Sequence, residues 1–78
     1  MKARIYVKLK KDVLDPQGTA VCRSLRELGY EEVASVRVGR FLEVELRGAR
    51  EDARERVEEM CRRLLANPVI EDYQVELP

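Results

Sequence analysis

The residues best placed for chemistry with a partner lie in two short runs, Asp15-Pro16-Gln17-Gly18 and Arg37-Val38-Gly39-Arg40. In the first, Asp15 is a good helix N-cap, because its carboxylate can accept from the free amides of a first turn. Pro16 follows at the first helical position, where its missing N–H costs nothing. Gly18 then falls inside that turn, where alanine would be more stable by about 0.5–1 kcal/mol. A glycine there leaves backbone amides open at the positive end of a helix dipole, which suits an acidic or carbonyl-bearing partner. In the second run, Arg37 and Arg40 flank Gly39 and offer forked donors for carboxylates. Turn geometry alone also explains both glycines, with DPQG leading into a helix and GR closing a hairpin. Both readings stay open on the sequence.

Other chemistry lacks its residues. The chain has no histidine, no serine in a nucleophile elbow and no phosphate-binding loop. Cys22 and Cys61 are far apart and form no C-x-x-C, which speaks against a zinc or redox site. Both fall on apolar helical faces, where a reduced thiol behaves as a small hydrophobe. Glu43 and Glu45 are the carboxylates spaced for acid–base work, yet their positions are more simply the wet face of a strand. The expectation is a chain with no catalytic residue, no metal ligand and no cofactor site of its own.

The elements that must position these residues follow from periodicity. Ala3–Lys10 alternates, with Ala3, Ile5, Val7 and Leu9 on one face, as a strand with one buried side does. A helix runs from Pro16, with Val21, Cys22, Leu25 and Leu28 on its apolar stripe, and Gly29 stops it. Glu32–Val38 reads as a second strand, Gly39-Arg40 as a tight turn and Phe41–Arg47 as a third strand, together a hairpin. Gly48–Ala49 opens a second helix from about Arg50 to Ala66, with Ala53, Val57, Cys61, Leu64 and Leu65 on its apolar face. Asn67-Pro68 ends it, and Val69–Leu77 is the last strand. The order β-α-β-β-α-β predicts an α+β, ferredoxin-like sandwich: one antiparallel sheet with two helices on one face, residues 1–78 forming one domain. The first strand is then central, and Arg4, Lys8 and Lys10 lie between Glu43 and Glu45 on one side and Asp72 and Glu76 on the other.

A domain of 78 residues buries a modest core and often needs a disulfide, a metal or a partner subunit. Self-association is the staple left here, as a homodimer or a dimer of dimers, with Tyr6 and Phe41 exposed on the open sheet face. Fifteen basic residues balance fifteen acidic ones, so no field attracts nucleic acid or an anionic membrane. No apolar run is long enough to span a bilayer, and MKARIYVKLK lacks a signal-peptide core. A cytoplasmic location is expected. Modules of the same topology offer rivals. An RNA-recognition motif would stack bases where Glu43 and Glu45 stand. A small-phosphate hydrolase would carry arginine in the loop that here reads KKDVLDPQG. A dimeric amino-acid-sensing regulatory module needs no catalytic residues and is the stronger alternative.

VLDPQG before a helix, LGY, VRVGR and CRRLLANPVIEDYQV, in that order and spacing, resemble the PurS family. Members are the small subunit of the multi-subunit phosphoribosylformylglycinamidine (FGAM) synthase of purine biosynthesis, a ligase. The resemblance runs nearly end to end. Arg40 departs from it, standing where the family usually has lysine and replacing a compact ammonium by a planar fork. The resemblance implies a subunit with no active site, acting as a dimer. It implies two partners, the synthetase subunit PurL, which uses ATP and magnesium to activate the amide, and the glutaminase subunit PurQ. The small subunit joins them and helps form a path for ammonia.

Overall fold

The structure, a computed structural model, describes residues 1–48 and 50–78. Three strands form one antiparallel sheet: β1 (Lys2–Leu9), β2 (Gly39–Glu45) and β3 (Glu71–Glu76), in the order β2-β1-β3. The helices are α1 (Pro16–Glu27) and α2 (Ala53–Met60), the latter running on into a π-helical turn, Cys61–Leu65. The sheet with its two helices is ferredoxin-like, as expected, and the first strand is central.

Alternation in β1 decides the two faces of the sheet. Ala3, Ile5 and Val7 are buried beneath Val57, Cys61 and Ala66. On the opposite face Arg4 is registered between Glu43 and Glu76, and Tyr6 between Phe41 and Gln74. Arg4 reaches Glu43 at 3.7 Å and Glu76 at 3.6 Å, and Lys10 reaches Asp72 at 2.8 Å. The expected charge pattern is therefore present at Arg4 and Lys10, whereas Lys8 is registered between Gly39 and Asp72; each exposed pair contributes modestly.

Helix α1 begins and ends as its sequence dictates. Asp15 caps it. At the other end Gly29 has φ 105°, the Gly29 N–H donates to the Arg26 carbonyl, and the Tyr30 N–H donates to the Leu25 carbonyl. These are the paired bonds of a Schellman ending, which needs a left-handed residue.

Four expectations are corrected. Glu32–Val38 is no strand of the sheet, and Gly39-Arg40 is no hairpin turn. Gly39 is the first residue of β2 and pairs with Lys8, so the chain runs straight on from residue 38. Gly39 is needed because a Cβ there would crowd the Val7 carbonyl oxygen. The second helix begins at Ala53; of the residues expected to open it, Ala49 lies outside those described. Leu64 is not part of the apolar face and is 82% exposed. The π-helical turn explains this. The Ala66 N–H bonds to the Cys61 carbonyl, five residues back, and the wider turn carries Ala66 inward and Leu64 outward.

Helix α1 does not cover the sheet. Of its residues only Gly18 is buried, and α1 packs alongside residues 33–38 as a projecting arm. The radius of gyration is 16.0 Å and the long axis 49 Å. A compact chain of this length would have a radius of about 11–12 Å.

Candidate functional site

The first candidate run, Asp15 to Gly18, lies where the arm leaves the sheet. Asp15 is 5% exposed. Its Oδ1 accepts from the Gly18 N–H at 2.9 Å and its Oδ2 from the Val38 N–H at 2.8 Å. These two amides, Gly18 first, hold the carboxyl below the usual carboxylate range, with Arg37 adding to the effect. One carboxylate thus caps α1 and ties down the strand that returns from the arm. Pro16 and Gln17 are exposed beside it. Gly18 fits against the backbone of Val36, whose carbonyl oxygen occupies the space a Cβ would need. The sequence expectation of an open amide at Gly18 is therefore corrected. The N–H is capped by Asp15, and the missing side chain makes room for this chain's own backbone.

Arg37 is committed in the same way. Its Nη2 donates to the carbonyls of Lys10 at 2.8 Å and Val13 at 3.1 Å, with Leu9 at 3.4 Å. It bridges the two strands of chain that connect sheet and arm. Arg40 makes a different joint. Its Nη1 and Nη2 meet the two Glu71 oxygens at 2.8 and 3.2 Å, and its Nη2 reaches the Leu65 carbonyl at 2.7 Å. Glu71 also accepts from the Asn67 N–H at 2.7 Å. That amide first, then Arg40, lowers the Glu71 pKa. Arg40 therefore joins the start of β2 to the π-helical turn and to β3. Carbonyls of this chain thus hold the Nη2 of Arg37, and a carboxylate and a carbonyl hold the two Nη groups of Arg40.

Tyr6 and Phe41 are brought together as the sequence suggests. They are cross-strand neighbours with ring centroids 5.1 Å apart, tilted by 33°. They are 43% and 52% exposed on the open face, with no helix over them. Glu43, beside Phe41, is engaged by Lys2 and Arg4, so the Glu43–Glu45 pair is a wet strand face. Among the described residues no cluster of three or more His, Cys, Asp or Glu could hold a metal ion. Cys22 and Cys61 are both free, and burial pushes the Cys61 thiol up.

Sequence reasoning missed the exposed apolar arm. Val21, Leu28 and Tyr30 are 43%, 74% and 52% exposed. The signal was present as a 3–4 apolar spacing, but that spacing does not say whether the covering surface belongs to the same chain.

Comparison with known proteins places this architecture. The PurS family, described as phosphoribosylformylglycinamidine (FGAM) synthase, matches residues 2–78. The FGAM synthase subunit PurS of Bacillus subtilis is 47% identical over 76 residues, which cover 97% of this chain and 90% of that subunit. The structure of Bacillus subtilis PurS superposes with a TM-score of 0.86 at 48% identity, covering 96% of this chain and 94% of that one. A chain in the structure of PurLQS from Thermotoga maritima superposes with a TM-score of 0.85 at 36% identity, covering 96% and 93%. With the family matched along nearly its whole length, and with the same fold found in solved PurS structures, the chain belongs to the PurS family of FGAM synthase.

Proposed function

We propose that this chain is the non-catalytic small subunit of an FGAM synthase in de novo purine biosynthesis, joining a PurL synthetase subunit to a PurQ glutaminase subunit and supporting ammonia transfer between them. The observation that carries this reading is the whole-chain likeness to a chain of the PurLQS structure from Thermotoga maritima. ATP and magnesium are used by the assembled complex, in the cytoplasm, and this chain binds neither. Among the described residues no helix is long and apolar enough to cross a membrane. The subunit works as a homodimer or a dimer of dimers. The open sheet face with Tyr6 and Phe41 supports self-association, because it offers paired rings without a cover.

The test is reconstitution. The chain should co-purify with the synthetase and glutaminase subunits in the presence of glutamine and nucleotide. Omitting it should abolish glutamine-dependent synthesis and spare ammonia-dependent synthesis by the synthetase. Equal glutamine-dependent rates with and without this chain would refute the reading. The family match does not favour an amino-acid-sensing module, which would show a melting shift with an amino acid.

A further inference from the structure

We infer that the pocket where the end of β2 meets the first turn of α2 binds a small phosphate monoester, held by Arg47, Arg50 and Arg56. This goes beyond the bridging role proposed above and does not rest on it.

The fold brings the three arginines to one rim. Strand β2 ends at Glu45, Arg47 follows it, Arg50 precedes α2, and Arg56 stands in the first turn of that helix. Gly48, with φ 69°, bends the chain between the first two. All three line a cavity of about 210 Å³. Its remaining lining includes Leu46, Ala53 and Met60, of which Ala53 is buried and the other two are half-buried. The cavity thus has a cationic rim and an apolar floor.

Charge at this rim is not balanced by the chain itself. Among the described residues no carboxylate lines the cavity. Asp52 is the acid beside it and offsets one of the three charges, bound by Arg50 and influenced more weakly by Arg56. The Arg50 Nε and Nη2 donate to Asp52 at 2.8 and 3.1 Å, which orients the guanidinium. Arg47 and Arg56 make no ion pair among the described residues. Elsewhere the cations are matched: Arg4 by Glu43 and Glu76, Lys10 by Asp72, Arg40 by Glu71 and Arg63 by Glu59.

The ligand class follows from the rim and the floor together. Guanidinium forks match the oxygens of a phosphate group, and several of them suit a dianion better than a single carboxylate. The floor offers no donor, so a fourth charged oxygen facing Leu46, Ala53 and Met60 would lose its hydration without a partner. A monoester turns three oxygens to the arginines and places carbon against the floor. The volume also sets the size. It is below the roughly 300 Å³ at which drug-sized pockets begin, and equals about seven water volumes at ~30 Å³ each.

Titration of the full chain with phenyl phosphate, followed by amide NMR shifts, tests the site. Saturable shifts are expected around the pocket, at Gly48, Arg50 and Ala53. Phenyl phosphate should bind about tenfold tighter than inorganic phosphate or phenol. Arg47→Gln and Arg56→Gln should each weaken binding about tenfold, as loss of a charge-assisted bond does. Arg54→Gln removes the same charge from an exposed position of α2 that does not line the cavity, and should leave the affinity unchanged. Equal weakening by all three variants, or shifts that potassium chloride reproduces at the same ionic strength, would reduce the effect to net charge and overturn the site. Inorganic phosphate or phenol binding as tightly as phenyl phosphate would overturn the monoester. If a variant loses its circular-dichroism spectrum, the shift map of the unmodified chain decides: saturable shifts at this rim support the site, and shifts elsewhere or none overturn it. The measurement needs no partner subunit, so its failure leaves the bridging role standing.

Discussion

Gly18 and Val36 meet backbone to backbone: the carbonyl of Val36 fills the place where any side chain at residue 18 would stand. The glycine in the first turn of α1 is there because the returning chain crosses the helix at that point. The contact belongs to the joint that holds the arm at its angle to the sheet.

Gly18→Ala should therefore destabilise the chain, although alanine is the better helix former. Overpacking against backbone costs about 1–3 kcal/mol, more than the propensity gain of about 0.5–1 kcal/mol. Urea denaturation measures the difference. A variant as stable as the unmodified chain would show that the crossing yields without strain.

Asp15 makes this joint sensitive to acid. Its pKa is lowered in the folded chain by the Gly18 and Val38 amides, so the folded state favours the ionised form. The stabilisation is complete above the unfolded carboxyl pKa of about 3.9 and is lost as the pH falls through the lower folded value. Asp15→Asn should reduce stability at neutral pH and flatten the acid limb of a stability–pH curve. Parallel curves for the two chains would contradict this.

Arg40 tests the second joint. Arg40→Gln removes the forked contact with Glu71 and the bond to the Leu65 carbonyl, at a cost of about 1 kcal/mol for an exposed pair of good geometry. Arg40→Lys should recover only part of this, because an ammonium cannot span both Glu71 oxygens and the carbonyl as the planar fork does. The comparison is made by urea denaturation of the three chains. Full recovery with lysine would mean that charge alone matters at this position.

The central strand and the outer side of the π-helical turn give a contrast. Ile5 is fully buried beneath α2, whereas Leu64 is 82% exposed. Ile5→Ala should cost about 2–5 kcal/mol. Leu64→Ala should leave the stability of the isolated chain within about 0.5 kcal/mol, measured by denaturation at concentrations where the chain is monomeric. A large loss at Leu64 in the monomer would place it in the chain's own core.

Much of the architecture is legible in sequence because it is local. Alternation in residues 3–10 identifies the central strand and its buried face, since side chains in a strand point to opposite sides in turn. Asp15-Pro16 and Gly29 mark both ends of α1, because capping and a left-handed stop are properties of a few adjacent residues. The charges of Arg4 and Lys10 lead to their strand neighbours, and the order of VLDPQG, LGY, VRVGR and CRRLLANPVIEDYQV leads to the family.

What remained belonged to contacts distant in sequence. Glu32–Val38 has the composition of a strand, yet only the fold shows that Gly39 continues into β2, leaving this segment against α1. The 3.6-residue pattern places Leu64 on the apolar face, but one widened turn rotates it outward while Cys61 and Ala66 stay buried. Arg37 and Arg40 read as donors for a partner because a charged side chain does not announce its own acceptor, and the cap at Asp15 does not announce its second donor. Tertiary structure decided that the acceptors and donors, at Val38, Lys10 and Glu71, lie within the same chain. It also decided that the apolar stripe of α1 stays uncovered, because the capped and clasped joint at Asp15 directs the helix away from its own sheet.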